Sequence, residues 1–220
     1  MMFRHLVAFV IANGTSRLGF NLRQLIGLGP IYGCNALYRE YAPNYDLPNY
    51  LIAIDDGMIE EIRNSDFPKN RFIVPPLSER WEPKECNPNQ PRSNAGMNAM
   101  IEAIRHGATT VIGLGFDFML NDVGQSVSNV YDGTINYGPN TRARHEDNLG
   151  RARYLNWLVS ANPAIDFLLC YEYEADTTLR RMPSPNSNIS TITYKQLLAH
   201  ISDEHTDSRL CDEHTDSRLL

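Results

Sequence analysis

The chain has 220 residues, a formal net charge of −6 at neutral pH, and 42% hydrophobic against 21% charged residues. This is the composition of a globular domain that can bury a core without disulfides or metal, and it excludes disorder, collagen and coiled coil over most of the chain. The acidic balance disfavours broad, sequence-independent binding to nucleic acid, which needs a surface rich in Lys and Arg.

The four cysteines are widely spaced and include no CxxC pair, so a zinc site built on that spacing is not expected. Cys34 and Cys170 fall in apolar, strand-like runs, where a small buried thiol is the simplest interpretation. Reduced thiols of this kind favour a cytoplasmic protein.

The first apolar run, residues 6–12, is the longest in the chain. It is far shorter than the roughly 20 residues that a membrane-spanning helix needs, so no membrane span is expected. Residues 13–16 lack the small-x-small pattern of a signal-peptide cleavage site. The run is therefore predicted to be a first buried strand.

Further apolar runs alternate with helix-like segments. In residues 94–106 the apolar side chains recur at helical spacing, and Gly107 ends that helix as a C-cap. Such alternation predicts an α/β fold with a doubly wound, mainly parallel sheet, and near-continuous apolar strands suit a sheet covered on both faces. The other predicted strands are residues 31–35, 50–55, 72–74, 109–114 and 165–171, and the other predicted helices are residues 18–25 and 147–158.

One long stretch has no such pattern. Residues 116–144 are polar, rich in Gly and Asn, and contain Tyr131 and Tyr137. A loop of that length in a compact domain is usually functional, and few aliphatic residues anchor it. We interpret residues 116–144 as a lid that is mobile without ligand and closes over a binding cleft.

The C-terminus carries a short duplication. Residues 203–210 read DEHTDSRL, and residues 212–219 repeat them letter for letter. The repeat is polar and far too short for a solenoid unit. We therefore interpret residues 1–201 as a single domain and residues 202–220 as a duplicated polar tail, disordered or left by cloning.

The turn directly after the first strand is the first candidate site and consists of Asn13, Gly14, Thr15 and Ser16. In open α/β sheets, ligands bind beyond the carboxyl ends of the strands, where a glycine lets backbone N–H groups approach a phosphate. No GxGxxG or GxxxxGK[ST] motif is present, so a dinucleotide or P-loop site of the usual kind is not predicted. An ordinary strand–helix turn is an equally good interpretation.

Two further candidates follow predicted strands or open predicted helices. Asn35 ends the second strand, where its amide can read a base or ribose edge or simply cap the next helix. Arg92 and Asn94 open the long helix, and a guanidinium there can grip a phosphate or carboxylate in bidentate fashion. A solvated surface arginine is the alternative.

Two more candidates come later in the chain. Gly115 and Asp117 close the strand over residues 109–114, and this acid can bind a ribose hydroxyl or a metal, or organise the loop by hydrogen bonding. His145 stands between the lid and the next helix, and a histidine can take up a proton near neutral pH. A helix-capping surface histidine is the alternative there.

In this order the motifs resemble those of the bacterial lipooligosaccharide sialyltransferases and their wider Rossmann-like relatives. The order and approximate spacing hold from residue 6 to about residue 171, and the likeness lies in that order because each motif is short. The family motif G-N-G-P-S-L corresponds here to A-N-G-T-S-R at 12–17, and R-C-N-x-x-Y corresponds to G-C-N-A-L-Y at 33–38. The motif R-x-T-S-G corresponds to R-S-N-A-G at 92–96, and S-G-x-D-F corresponds to L-G-F-D-F at 114–118. The family also has a histidine after a mobile loop, which corresponds to His145.

The resemblance implies a Rossmann-like fold and the transfer of sialic acid from a cytidine nucleotide sugar to a hydroxyl, without a metal ion. It implies that Asn13 and Asn35 hold the nucleotide or its phosphate and that Arg92 orients the donor. His145 would be the general base that deprotonates the acceptor hydroxyl.

Two positions depart from the family pattern. Ala95 stands where the family has a serine that touches the donor, and Met119 stands where it has a tyrosine that steadies the departing phosphate. Tyr131 or Tyr137 in the lid would then supply a hydroxyl for that role. The departures favour nucleotide-sugar binding in general over a sialic acid donor in particular.

The sequence thus predicts a metal-independent glycosyltransferase, similar to sialyltransferases, that uses a nucleotide sugar as co-substrate and no other cofactor. A transferase of nucleotide or pterin diphosphates on the same scaffold, and a non-catalytic nucleotide-binding or structural protein, are the alternatives. A glycan, a lipid-linked sugar or a modified nucleobase would each suit as acceptor. The formation of a homo-oligomer is left open.

Overall fold

The computed structural model of the protein describes residues 6–41, 47–80, 89–120, 129–138, 145–175, 177 and 187–199. Within these residues the chain forms one seven-stranded sheet in the order β4-β3-β2-β1-β5-β6-β7, with every neighbouring pair parallel. The strands are β1 Val7–Ile11, β2 Ile31–Cys34, β3 Tyr50–Ile52, β4 Phe72–Ile73, β5 Thr110–Leu114, β6 Asp166–Tyr171 and β7 Ile189–Thr193.

Helices cover both faces of the sheet. They are α1 Tyr38–Tyr41, α2 Asp56–Arg63, α3 Leu77–Arg80, α4 Ala95–Arg105 and α5 His145–Ala161, and residues 194–199 are also helical. The protein therefore has the predicted doubly wound, Rossmann-like α/β fold. No described helix has the length and the apolar run that crossing a bilayer requires.

Strand β1 lies at the centre of the sheet and contributes to the core on both sides. Ala8 and Val10 pack with α4 and α5 on one face, whereas Phe9 and Ile11 pack with α2 on the other. All four are at most 1% exposed. This burial on both faces explains why β1 is continuously apolar and does not alternate between apolar and polar residues.

Helix α4 begins and ends as its sequence predicts. The side chain of Asn94 accepts a hydrogen bond from the backbone N–H of Met97 at 2.9 Å, which caps the N-terminus. Gly107 follows the C-cap with a φ of +94°, a conformation that glycine adopts without strain. Met97 and Met100 are fully buried against the sheet, which confirms the predicted apolar face.

The helix predicted over residues 18–25 is wrong. The structure has two 3₁₀ turns there, Thr15–Gly19 and Leu22–Leu25, separated by an extended Phe20. Asn21 starts the second turn, because its side chain accepts from the N–H of Arg23 at 3.1 Å. A local side chain-to-backbone bond of this kind competes with the helical ladder.

The sequence prediction lacked the helices α1, α2 and α3 and the strand β7. Helix α2 buries Met58, Ile59 and Ile62, a short stripe on one face of an otherwise charged segment. Strand β7 lies at the edge of the sheet and is only partly buried, so its sequence ISTIT carries a weak apolar signal.

Replacing Leu51 by Ala is expected to lower the free energy of unfolding by about 2–5 kcal/mol, because Leu51 lies in β3 with no exposed surface and its loss leaves a cavity. Urea denaturation measures the change. Leu77→Ala is the matched control, since Leu77 is 79% exposed and its truncation removes little packing. Equal losses in the two variants would contradict the observed core.

Candidate functional site

A cavity of about 400 Å³ opens at the carboxyl edge of the sheet, where strands β1, β2, β3 and β5 end. This volume falls within the range of small-molecule sites. The residues that line it come from the turns after these strands, from the N-termini of α2 and α4, from α5 and from residues 129–138. They include Asn13, Gly14, Asn35, Asp55, Asn94, Ala95, Gly96, Gly115, Asp117, Asn129, Asp132, Asn136, Tyr137 and Arg151.

The cavity lies at the point where the strand order reverses. From β1 the sheet continues through β2, β3 and β4 to one side and through β5, β6 and β7 to the other. The connections after β1 and β5 therefore diverge and leave a crevice between them, which is the usual ligand position in open α/β sheets.

Asn13 and Asn35 are brought together as the sequence predicts. They follow the neighbouring strands β1 and β2, line the same cavity, and are 8% and 9% exposed. The Nδ2 group of Asn13 donates to the Tyr137 hydroxyl at 3.0 Å, and that of Asn35 donates to Asp55 at 3.1 Å. The Oδ1 atoms of both asparagines are buried without a hydrogen-bond partner in the described part of the chain.

Two asparagines in the cavity wall have left-handed backbone conformations. Asn35 has a φ of +51° and Asn136 a φ of +64°, and they are the described residues other than glycine with positive φ. Asparagine tolerates this region better than most residues, but at some conformational cost. Both residues line the cavity, so the surrounding structure holds the backbone at this edge of the sheet in a conformation that it does not prefer locally.

The turn after β1 is fixed to the turn after β5. The N–H of Gly14 donates to the carbonyl of Gly115 at 3.0 Å, and Asp117 accepts from the N–H and hydroxyl of Ser16 and from the hydroxyl of Thr15. Burial raises the pKa of the Asp117 carboxyl. Asp117 thus organises the loop, one of the two roles that the sequence left open.

Helix α4 points its N-terminus at the cavity. Asn94, Ala95 and Gly96 all belong to the lining, and the Asn94 side chain already bonds the N–H of Met97. The remaining first-turn N–H groups have no acceptor within the helix, which makes this end partially positive. Gly96 sits close to the sheet, because a β-carbon there would lie 3.3 Å from the β-carbon of Ala12 and 3.3 Å from the ring Cζ of Phe116.

Of the predicted lid over residues 116–144, the structure describes residues 116–120 and 129–138, and both segments pack against the body of the protein. Asn129 forms an isolated β-bridge with Gly14, and the N–H of Val130 donates to the Asn13 carbonyl at 2.9 Å. Asn136 donates to Glu61 at 2.6 Å. Residues 121–128 and 139–144 lie outside the described residues, so the predicted mobility of the lid stays a prediction.

Tyr131 is buried in an ion-pair cluster beside the cavity. Its hydroxyl donates to Glu40, which also pairs with the buried guanidinium of Arg17, and Arg17 donates to the Tyr131 hydroxyl at 3.2 Å. Burial raises the pKa of Tyr131 far above its ordinary value. Tyr131, predicted to be catalytic, therefore anchors residues 129–138 and does not belong to the cavity lining.

Tyr137 provides the phenol that does line the cavity. Burial raises its pKa, so the hydroxyl stays protonated at neutral pH and can donate a hydrogen bond while it accepts one from Asn13. The sequence named Tyr137 only as an alternative to Tyr131. The choice between them depends on contacts with residues more than 90 positions away, which no local pattern reveals.

Arg92 and His145 lie near the first turn of α5. Arg92 pairs with Asp147 at 3.1 Å and is not among the lining residues of the described cavity. His145 is the first residue of α5, and its side chain lies outside the described residues. Their predicted roles as donor clamp and general base stay predictions.

The cysteines agree with their predicted character where they are described. Cys34 and Cys170 are free and buried, and burial raises the pKa of each thiol to about 12. Both are therefore unreactive thiols at neutral pH, although Cys34 contributes to the cavity wall. Among the described residues, no group of three or more His, Cys, Asp or Glu side chains is placed to hold a metal ion.

Comparison with known proteins returned no match. No family model, no curated protein and no solved structure is significantly similar to this chain.

The variant Tyr131→Phe is expected to lose about 1–3 kcal/mol of unfolding free energy, because the buried Arg17 guanidinium and its ion-pair partner Glu40 lose a hydrogen-bonding partner while the ring is retained. Urea denaturation checks this. Tyr173→Phe is the matched control and should stay within about 0.5 kcal/mol, since Tyr173 is 74% exposed. A Tyr131→Phe protein as stable as the control would show that the cluster does not hold residues 129–138.

Proposed function

We propose that this protein binds a nucleotide sugar in the cavity at the carboxyl edge of its sheet and transfers the sugar to a hydroxyl acceptor. The observation that carries the proposal is the pair Asn13 and Asn35. Both are more than nine-tenths buried, both line the cavity, and each has a buried amide oxygen without a partner in the described structure. A buried polar atom without a partner is costly, and a bound ligand is the simplest reason for keeping two.

The character of the wall supports a nucleotide sugar. Five asparagines line the cavity, at positions 13, 35, 94, 129 and 136, and amides can both donate to and accept from hydroxyls and base edges. Phe118 and Tyr137 add aromatic surface on which a base or sugar can pack. The N-terminus of α4 suits the phosphate.

Transfer needs little chemistry from the protein beyond positioning and a base. The acceptor oxygen attacks the anomeric carbon, the bond from that carbon to the phosphate oxygen breaks, and the acceptor proton passes to a general base. The resemblance assigns this base to His145. The protonated hydroxyl of Tyr137 lies in the cavity wall beside Asn13, where it can donate to the bound donor substrate.

A transferase of nucleotide or pterin diphosphates is the second candidate. Asp55 and Asp132 both line the cavity, and carboxylate oxygens are the ligands through which Mg²⁺ is usually bound beside substrate phosphates. This candidate predicts binding that depends on a divalent cation. The glycosyltransferase proposal predicts binding that persists in excess chelator.

Nucleotide sugars and nucleotides are expected to raise the melting temperature of the protein by mass action, with or without chelator. Asn13→Ala and Asn35→Gly should weaken that binding about 5- to 100-fold, which corresponds to roughly 1–3 kcal/mol for lost buried hydrogen bonds. Glycine is used at position 35 because it accepts the positive φ. Titration calorimetry with each ligand gives the affinities.

Asn70→Ala is the matched control for these variants, because Asn70 is exposed and does not line the cavity. It should bind as the parent protein does. A folded Asn13→Ala protein with unchanged affinity for every nucleotide that the parent binds would refute the assignment of the cavity. Affinity that disappears with chelator would favour the diphosphate transferase.

Replacing His145 by Ala is expected to lower turnover about 10²- to 10⁴-fold, the usual contribution of a general base, with nucleotide affinity almost unchanged. Single-turnover kinetics with the active donor–acceptor pair separates the two effects. His106→Ala is the control, since His106 caps the far end of α4. Parental turnover by the His145→Ala enzyme would move the base to Glu146.

A further inference from the structure

With one exception, the charged residues of the cavity lining are separated along the strand order; the exception is Asp117, a carboxylate that follows β5 on the side of α5. Asp55 follows β3, and Asp132 lies in the segment that docks beside α2. Arg151, the one basic residue among the described lining residues, comes from α5 on the other side of the crevice. The third carboxylate, Asp117, is already engaged by Ser16 and Thr15. The cavity therefore has an acidic and a basic end.

Arg151 lies at the same end as the N-terminus of α4. The residue before it, Gly150, accepts a hydrogen bond from the N–H of Arg92 at 3.0 Å, and Arg92 leads directly into the cap of α4. The approach is close, because a β-carbon at Gly150 would lie 2.8 Å from the carbonyl oxygen of Gln90. This backbone contact sets the first turns of α5 beside the start of α4.

The N-terminus of α4 and the Arg151 side chain are both positively charged. Helix α4 has 11 residues, and its first-turn residues Ala95 and Gly96 line the cavity with N–H groups that have no acceptor within the helix. Arg151, whose Nη1 donates to Asn148 at 3.3 Å, adds a full positive charge and a planar guanidinium that matches phosphate geometry. A helix N-terminus and a guanidinium together form an anion site.

The opposite end suits hydroxyl or amino groups. Asp55 accepts one hydrogen bond from Asn35 at 3.1 Å, and a carboxylate can accept several. From β3 to β5 the lining spans three strand intervals, about 14 Å at the usual spacing. An elongated ligand with one anionic end fits this span, and the buried oxygens of Asn13 and Asn35, between the two ends, independently indicate a ligand there.

We infer that the cavity holds its ligand in one direction, with a phosphate group between Arg151 and the N-terminus of α4 and with the hydroxyl- or amino-bearing end at Asp55. The inference rests on the proposed function, to which it adds the orientation of the nucleotide and two specificity-determining residues. The phosphate faces α5, so the transferred group leaves from the side of the cavity where α5 begins.

A cycle of one substitution and one ligand change tests the anion end. The ligands are cytidine, uridine, adenosine and guanosine, each with and without its 5′-phosphate. Arg151→Gln is expected to weaken binding of the best-bound monophosphate about 10- to 100-fold and that of its parent nucleoside less than 2-fold. Equal losses for nucleotide and nucleoside would overturn the inference, because the phosphate would then lie elsewhere.

Arg153→Gln is the matched control, since Arg153 lies on the same helix, is exposed and does not line the cavity. It removes the same charge and should change neither affinity more than 2-fold. If it weakens nucleotide binding as much as Arg151→Gln does, the effect comes from general charge, and the directed site is refuted.

Asp55→Asn tests the other end with the same ligands. It should weaken the nucleoside and the nucleotide by the same factor, about 5- to 20-fold, because the lost contacts are to the shared part of the ligand. Asp66→Asn, an exposed carboxylate outside the lining, is the control. A loss confined to the phosphorylated ligand would reverse the assigned direction.

Inorganic pyrophosphate separates this inference from the proposed function. Pyrophosphate binding that falls at least 10-fold in Arg151→Gln, in a protein that binds no nucleotide, would retain the anion site and refute the nucleotide-sugar proposal. Nucleotide binding that is insensitive to Arg151→Gln would refute the anion site and retain the nucleotide-sugar proposal. Absence of binding by all of these probes would refute both.

Discussion

The architecture of the site depends on the close contact between the turns that follow β1 and β5. A β-carbon on Gly14 would lie 2.3 Å from the Asp117 carboxylate, and one on Gly115 would lie 2.7 Å from the Ala12 carbonyl, so neither position can carry a side chain without displacement. Gly115 also has a φ of +75°, which favours glycine. A backbone hydrogen bond and the Asp117 side chain join these two turns, and the join fixes the position of Asn13 in the crevice.

Much of this arrangement could be predicted from the sequence, because it depends on patterns that are local. Apolar runs located the central strands, apolar residues at helical spacing and a closing glycine located α4, and the rule that parallel strands end at one edge brought Asn13 and Asn35 together. The edge strand β7 and the short helix α2 were missed, since a half-buried strand and a two-turn helix carry few apolar residues. The 3₁₀ turns after β1 replaced a helix for a reason visible only in the hydrogen bond of Asn21.

The contribution of residues 129–138 could not be predicted, because its determinants are distant in sequence. Three sets of hydrogen bonds hold the segment. The Tyr131 hydroxyl bonds Glu40 and Arg17, Arg39 donates to the carbonyl of Ile135 at 2.9 Å, and Asn136 donates to Glu61. None of these pairings follows from spacing or propensity. These contacts explain why the segment is polar. Most of its polar groups attach it to the body of the protein, and the others, Asn129 and Asp132 among them, line the cavity.

The docking of residues 129–138 also bears on how such a site can change. One uninterrupted stretch of ten residues supplies Asn129, Asp132, Asn136 and Tyr137 to the cavity. It adds no strand to the sheet, and it reaches the core through Tyr131 and Tyr137. Its attachment to Arg17, Arg39 and Glu61 uses Tyr131, the carbonyl of Ile135 and Asn136, and of these three residues Asn136 alone also lines the cavity. Ligand preference can therefore change through substitutions at the lining positions of residues 129–138, while the anchoring positions and the α/β scaffold stay constant. In laboratory evolution, a library confined to positions 129 and 132 would sample new ligands while Asn136 keeps its contact with Glu61.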